Sequence, residues 1–258
     1  MIRLFDHAES DIVVQSELAK RSTSSGVLTG CCLMRFNENE HVIVSDFDGT
    51  ITKEDSNALL AEVCGNAENA QIEVDFLSGL MSNREAFKRH FEVMHITLRE
   101  YKDFIKTNIK MDPEFDAFLE QVQRRGIPFF IVSAGFRQAV ECVLGKKRQR
   151  DVKVYANDLQ GEPYVTPKFA TKKPSCDKPV GPCGNCKRDC LTTIRQKSGK
   201  KILYIGDGIT DRCAIGEADI LLAKDILAEY CDVRGVPYTP YKNFADVTDL
   251  LGWSAETG

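Results

Sequence analysis

The sequence predicts an α/β protein, a doubly wound parallel sheet with an inserted helical segment, and three observations carry that expectation. Strand-length runs recur along the chain at Val42-Ile43-Val44, Phe129-Phe130-Ile131-Val132 and Lys201-Ile202-Leu203-Tyr204-Ile205, and continuous apolar runs of this kind suit strands buried on both faces. Helix-period stretches separate them, as parallel pairing requires. A polar, glycine-bearing turn follows each run at once: Asp46-Phe47-Asp48-Gly49-Thr50, Ser133-Ala134-Gly135 and Gly206-Asp207-Gly208-Ile209-Thr210-Asp211. Open α/β sheets bind ligands at the C-terminal mouths of their strands, so these turns converge where chemistry is expected.

In chain order, residues 1–40 read as an N-terminal extension. It carries a helical pattern from His7 to Lys20, a Ser/Thr/Gly hinge from Arg21 to Gly26, an apolar segment from Val27 to Phe36 and a turn at Asn37-Glu38-Asn39-Glu40. The apolar segment either pairs with the Val42 strand as a hairpin or makes a homo-oligomer contact. Nothing in it suggests chemistry. Residues 41–51 open the catalytic core, which resumes at 126–258. Between them, residues 52–125 are helical throughout, at Ser56–Val63, Ala67–Leu77, Asn83–Met94, Leu98–Asn108 and Pro113–Arg125, with Asp112-Pro113 as the start signal of the last. After the Phe129 strand come a helix over Phe136–Leu144, a strand over Val152–Asn157, a hairpin-like return at Gly161–Val165 and a Pro/Gly/Cys-rich loop. A helix then runs from Lys187 to about Lys197. Beyond the Lys201 strand, Ala218–Ala223 reads as a short parallel strand, followed by a helix through Tyr230, the stretch Arg234–Tyr238 and a closing helix over Phe244–Leu251.

A chain of 258 residues buries a sizeable core and accommodates one α/β domain with an inserted subdomain. Its formal net charge of -4, with both signs interspersed, leaves no electrostatic footprint for nucleic acid or an anionic membrane. No run approaches the ~20 apolar residues that span a bilayer, and Asp6, Glu9 and Asp11 break any signal-peptide core, so the expected location is cytoplasmic. Reduced thiols are then the default for the ten cysteines, with Cys64, Cys142, Cys213 and Cys231 in helical or apolar patterns as small buried hydrophobes. Cys176, Cys183, Cys186 and Cys190 form a C-x6-C-x2-C-x3-C cluster. Such a cluster admits a structural zinc, against the plainer reading of a tightly turned loop that delivers Lys187.

The chemistry concentrates in four places. Asp46 and Asp48 stand two residues apart at the mouth of the first strand, where one carboxylate serves as nucleophile and metal ligand and the other moves a proton. Ser133 and the backbone amides of Ala134 and Gly135 form an anion site. Lys187, at the start of its helix, supplies a point charge for a phosphate, with Lys168, Lys172, Lys173 and Lys178 as competitors in the same loop. Asp207 and Asp211 bring two further carboxylates to the same sheet edge. In the intervening helices Arg84, Lys88, Arg89, His90 and His95 either reach the site or form a solvated face.

Together these four elements resemble the motifs of the haloacid dehalogenase superfamily, from roughly Val42 to Leu250. D-F-D-G-T-I-T at Asp46–Thr52 and C-G-N-C-K at Cys183–Lys187 are most similar to the phosphoserine-phosphatase-like branch, and within it to the 2-hydroxy-3-keto-5-methylthiopentenyl-1-phosphate phosphatases of methionine salvage. Those phosphatases begin only a few residues before the nucleophile strand, and the first forty residues here depart from that pattern. The resemblance implies a Rossmann-like core, residues 52–125 as a cap that closes over the crevice, Mg²⁺ as cofactor and a small phosphorylated metabolite as substrate. It further implies that Asp46 attacks phosphorus and that Asp48 is the acid and base. Ser133, Ala134 and Gly135 would bind phosphoryl oxygens, Thr50 would join that set by bracing the nucleophile loop, and Lys187 would neutralise charge. Asp46, Asp48 through its backbone carbonyl, Asp207 and Asp211 make up the metal set, with Asp211 orienting metal waters or Lys187. Two alternatives remain: a phosphoserine-type phosphatase or phosphotransferase of another pathway, and a catalytically idle binding scaffold. Six costly polar groups in one crevice argue against the scaffold.

Overall fold

The structure is a computed structural model that describes residues 36–172 and 181–253. The expectations for His7–Lys20, for the Arg21–Gly26 hinge and for most of the Val27 segment lie outside the described residues, as do Lys173, Cys176 and Lys178.

Among the described residues seven strands form one sheet in the order β4-β3-β2-β1-β5-β6-β7. These are β1 (His41–Ser45), β2 (Phe129–Phe136), β3 (Val152–Gln160), β4 (Thr166–Lys168), β5 (Lys201–Gly206), β6 (Ile220–Ala223) and β7 (Thr239–Pro240). All neighbours pair in parallel except β3 with β4, which are antiparallel. The expected doubly wound parallel sheet is therefore observed. From central β1 the chain first builds outward through β2 and β3, then crosses back to β5 on the other side. That reversal makes the C-terminal ends of β1 and β5 a topological switch point, where such sheets open a crevice. Ser45, the last residue of β1, lies opposite Ile131 on one side and Ile205 on the other.

Alternate side chains of these strands enter two cores. On one face Val42, Val44, Phe130, Val132, Ile202, Tyr204 and Leu221 meet Leu191 and Ile194 of α7 (Lys187–Ser198) and Leu227 and Cys231 of α8 (Asp225–Arg234). On the other, Phe129 meets Phe115 and Phe118 of α5 (Phe115–Arg124), and both reach Phe244 of α9 (Phe244–Leu250) at 4.9 and 4.8 Å between ring centroids.

Four helices fill the insertion after β1: α1 (Ser56–Cys64), α2 (Ala67–Leu77), α3 (Asn83–Met94) and α4 (Leu98–Asn108). Their starts follow from capping side chains, Asp55, Asn66, Ser82 and Thr97, each accepting from backbone N–H groups of the first turn. Sequence periodicity placed α5 in this group as well. Its phenylalanines pack on the sheet and on α9 instead, and the chain leaves and re-enters the core at an antiparallel bridge between Thr52 and Met111. By packing, α5 lies against the sheet layer and α9. The start signal Asp112-Pro113 sits just ahead of α5: Asp112 accepts from Glu114 N at 2.8 Å, and its other oxygen from Phe244 N at 3.2 Å.

Two further expectations need correction. Ser133-Ala134-Gly135 is not a strand-to-helix turn, because β2 continues through it to Phe136 and α6 (Arg137–Arg148) starts only there. The pairing of β2 with β3 is irregular between Val132 and Phe136, which breaks the ladder at this triplet. Cys64, expected to be a buried hydrophobe, is exposed at the end of α1, Cys142 and Cys213 are half-buried, and Cys231 alone of the four is buried.

Candidate active site

Asp46 leaves β1 with its backbone N–H still bonded to Ile205 O at 2.8 Å, so the first carboxylate is held at the junction of the two central strands. Its Oδ1 accepts from Phe47 N at 2.7 Å and its Oδ2 faces Lys187 Nζ at 2.6 Å. The loop then turns sharply. Gly49 adopts a φ of +75°, open to glycine without steric cost, and a side chain there would land on the Asp207 carboxylate. Thr52 closes the turn from inside, with its hydroxyl on Phe47 O and Glu54 O.

Lys187 is 2% exposed. It is the first residue of α7, and its Nζ lies between Asp46 Oδ2 and Asp211 Oδ1, the latter at 2.5 Å. Burial opposes its charge, but the carboxylates of Asp211 and Asp46 outweigh that and hold its pKa above the usual lysine range. Of its sequence competitors, Lys168 and Lys172 are exposed. Asp211 is wholly buried and fully engaged: Oδ1 accepts from Lys187 and from the Tyr204 hydroxyl, Oδ2 from the backbone N–H groups of Asp207 and Gly208. Tyr204 lies in the β5 run that sequence pattern marks only as strand, so its role as a donor was not legible there.

Asp48 faces the other side of the crevice. Its Oδ1 accepts from Ser56 N at 3.0 Å and its Oδ2 lies 3.4 Å from Ser133 Oγ. Burial, then the nearby Asp55 carboxylate, push its pKa up to about 7. Ser133 Oγ also accepts from Gly135 N at 2.8 Å, so that amide is engaged within the triplet rather than free. Two asparagines clamp the triplet from behind. Asn157 Nδ2 donates to Ala134 O at 2.7 Å, and Asn185 Nδ2 to Ser133 O at 2.8 Å and Tyr155 O at 3.0 Å. Sequence reasoning missed both, although Asn185 sits inside the C-G-N-C-K signature.

Thr50, expected beside the phosphate-binding residues, instead donates to Asp207 Oδ1 at 2.5 Å and fixes that carboxylate. The cationic residues of the insertion are committed elsewhere. Arg84 donates to Thr171 O and stacks on Phe169, Lys88 and Arg89 pair with Glu92 and Glu85, His90 is buried between Asn69 and Glu73, and His95 packs against Tyr164. In the cysteine loop, the Cys190 thiol donates to Asn185 Oδ1 at 3.2 Å, and Cys176 lies outside the described residues.

Among the described residues one set of side chains gathers as metal ligands, Asp46, Asp207 and Asp211, with oxygens within 4.8 Å of one another. Burial first, and then the Asp211 charge, raise the pKa of Asp46 well above the carboxylate range and bring that of Asp207 to about 7. Lys187 pairs with two of these carboxylates, Asp46 and Asp211, and the half-buried Asp207 adds a third negative charge beside them. The excess negative charge and the all-oxygen donor set fit a hard divalent cation such as Mg²⁺. Since Asp211 has no lone pair to spare, Asp46 and Asp207 are the oxygens open to it.

The family model for haloacid dehalogenase-like hydrolases matches residues 43–215, well over half of the chain and all four motif sites. The chain belongs to that family. Among relatives of this haloacid dehalogenase-like hydrolase, the 2-hydroxy-3-keto-5-methylthiopentenyl-1-phosphate phosphatase of Geobacillus kaustophilus is 30% identical over 81% of the chain and 94% of its own length. The polyol phosphate phosphatase of Saccharomyces cerevisiae is 27% identical over 80% and 90%. A phosphoserine phosphatase solved as a phospho-aspartyl intermediate analogue superposes with a TM-score of 0.60 at 16% identity, covering 81% of this chain and 97% of that one, and so shares the fold. The protein is a haloacid dehalogenase-type phosphatase. Among the described residues no helix is long and apolar enough to cross a membrane.

Proposed function

We propose that the protein is a Mg²⁺-dependent phosphomonoesterase that cleaves a small phosphorylated metabolite through an aspartyl-phosphate on Asp46. The observation that carries this reading is the division of labour between two carboxylates two residues apart. Asp46 is paired with Lys187 at 2.6 Å, whereas Asp48 faces Ser133 with its pKa pushed up to about 7. One is built to attack, the other to trade a proton near neutral pH.

In the first half-reaction an Asp46 oxygen bonds to phosphorus as the bond from phosphorus to the ester oxygen breaks. Asp48, protonated, delivers its proton to that leaving oxygen. In the second, the Asp48 carboxylate takes a proton from water as the water oxygen bonds to phosphorus, which releases inorganic phosphate and restores Asp46. Ser133 would hold a phosphoryl oxygen, and Lys187 would offset the negative charge on the transferring group, held in place by Asp211, which the Tyr204 hydroxyl fixes in turn. Asp46, Asp207 and the backbone carbonyl of Asp48 would hold Mg²⁺, which when bound would draw the anionic phosphate to an anionic site.

For the substrate, the 30% identity to the methionine-salvage phosphatase and the C-G-N-C-K loop favour the enediol phosphate of that route. The yeast relative favours a polyol phosphate. Either places a hydroxyl close to the phosphate-bearing carbon. The test is phosphate release from a panel of phosphomonoesters, with Mg²⁺ or with chelator, by the parent protein and by Asp46→Asn. Release by the parent alone, and only with Mg²⁺, is expected. Equal release by Asp46→Asn would remove the aspartyl-phosphate, and release in chelator would remove the metal.

A further inference from the structure

Two side chains at the start of α3 leave their own helix and bond to the loop that leads into Lys187. Ser82 caps the helix, its hydroxyl accepting from Glu85 N at 3.2 Å, and so leaves the Asn83 amide for another partner. Asn83 is 5% exposed, and its Oδ1 accepts from Gly184 N at 3.1 Å, 101 residues downstream. The next residue, Arg84, donates from Nη1 to Thr171 O at 3.1 Å and lays its guanidinium over the Phe169 ring, 4.5 Å from the centroid. The insertion also rests on Phe136 of β2 through Phe87 and Phe91, both at 5.2 Å between ring centroids. Apolar contact of that kind is non-directional, whereas a hydrogen bond fixes both distance and angle. The polar contacts of Asn83 and Arg84 are therefore the ones that set the register of α3 on the loop.

The loop is built to receive them. Gly184 O accepts from Thr171 N at 2.9 Å and Cys186 N donates to Thr171 Oγ1 at 2.8 Å, so Thr171 and Gly184–Cys186 form one bonded unit. A Cβ on Gly184 would lie 2.6 Å from the Phe169 ring, and a side chain there would displace the ring on which Arg84 stacks. The residue after Gly184 is Asn185, whose Nδ2 holds Ser133 O and Tyr155 O, and Lys187 follows two residues later. Asn157 ties the same unit to the triplet from the other side: its Oδ1 accepts from Ala170 N at 3.1 Å and its Nδ2 donates to Ala134 O.

We propose that Asn83 and Arg84 are positioning residues for the reaction: by pinning Gly184 and Thr171 from the insertion, they set Asn185 against Ser133 and Lys187 against Asp46. The inference rests on the phosphatase reading and adds that the phosphate side of the crevice is complete only with α3 seated on this loop. Both residues act through the loop backbone rather than on the reacting atoms. Residues that act along one chain of bonds have non-additive effects, because once Asn185 is gone the loss of Asn83 has nothing further to loosen.

The test measures kcat and KM for the best phosphomonoester of the panel, with Mg²⁺, in the parent, Asn83→Ala, Asn83→Asp, Arg84→Met, Asn185→Ala and the double variant of Asn83→Ala with Asn185→Ala. Amide hydrogen exchange of the peptide spanning residues 181–187 is followed alongside. Asn83→Ala should raise KM by about tenfold and speed exchange in that peptide by a similar factor, as expected for a lost buried hydrogen bond. The double variant should have the KM of Asn185→Ala alone. Asn83→Asp, which keeps an acceptor oxygen for Gly184 N, should return KM close to the parent's. Arg84→Met alters a half-buried side chain and should raise KM in the same direction, which keeps the comparison available if an asparagine variant fails to fold. A merely structural role would lower the melting temperature with KM unchanged, or would multiply the effect of Asn185→Ala in the double variant, and either result overturns the proposal. A raised KM with unchanged exchange overturns it as well. If the parent turns over and both Asn83→Ala and Arg84→Met match it, the phosphatase reading stands and this inference fails. If the parent releases phosphate from no ester of the panel, both fail together.

Discussion

At the scale of single residues, Lys187 decides whether the carboxylates of the crevice coexist. Among the described residues it is the one ammonium between Asp46 and Asp211, and all three side chains are buried. Removing one partner of a buried pair leaves uncompensated charge, at a cost of about 3–5 kcal/mol. Lys187→Met should therefore lose stability on that order in denaturant titrations, and kcat should fall on the order of a hundredfold or more in the fraction that remains folded. Loss of activity with unchanged stability would place the ammonium outside the pair seen here. Asp46, Asp48, Lys187, Asp207 and Asp211 were all legible in the sequence, because each stands directly after a strand-like run or at a helix start. Tyr204 was not, because a tyrosine inside an apolar strand shows no sign of its hydroxyl's partner.

At the scale of elements, the loop before α7 does more than deliver a lysine. Asn185 reaches across to the backbone carbonyls of Ser133 in β2 and Tyr155 in β3, so it fastens the phosphate-side triplet to the lysine helix. Asn185→Ala leaves two carbonyls without their donor, and buried groups stranded this way cost about 1–3 kcal/mol each. The expected outcome is a lower melting temperature together with a raised KM for the phosphomonoester, since Ser133 loses its anchor. A fall in stability with KM unchanged would confine Asn185 to a packing role. The sequence could not disclose this clamp, whose partners lie 52 and 30 residues away and are main-chain atoms. The packing of α5 was hidden for a similar reason. The α5 stretch has the same periodicity as α1 to α4, and only contact with α9, more than a hundred residues downstream, shows that it belongs to the sheet layer. The helices themselves were legible, since Asp55, Asn66, Ser82 and Thr97 are capping residues at their starts.

At the scale of the whole molecule, the crevice couples folding to protons and to metal. Asp48 and Asp207 have folded-state pKa values of about 7 against an ordinary 3.8. Between about pH 4 and pH 7 the folded chain therefore holds protons that the unfolded chain has released, and stability must fall as pH rises through that window. Thermal melts of the metal-free protein should show this decline. Mg²⁺ at a hundredfold excess over its Kd adds about 2.7 kcal/mol, and the gain should be larger at pH 8 than at pH 5, where protons compete for the same oxygens. Metal-free stability that rises with pH from 5 to 7 would contradict the arrangement of charges.

The central claim is that Asp46 carries the phosphoryl group, and chemical trapping tests it most directly. The enzyme, mixed with Mg²⁺ and a turned-over phosphomonoester, is quenched with borohydride, which reduces an acyl phosphate to an alcohol, and the peptide spanning residues 42–53 is analysed by mass spectrometry. The account predicts homoserine at position 46, dependent on both substrate and Mg²⁺. Turnover with an unmodified Asp46, or reduction at Asp48 instead, would contradict it.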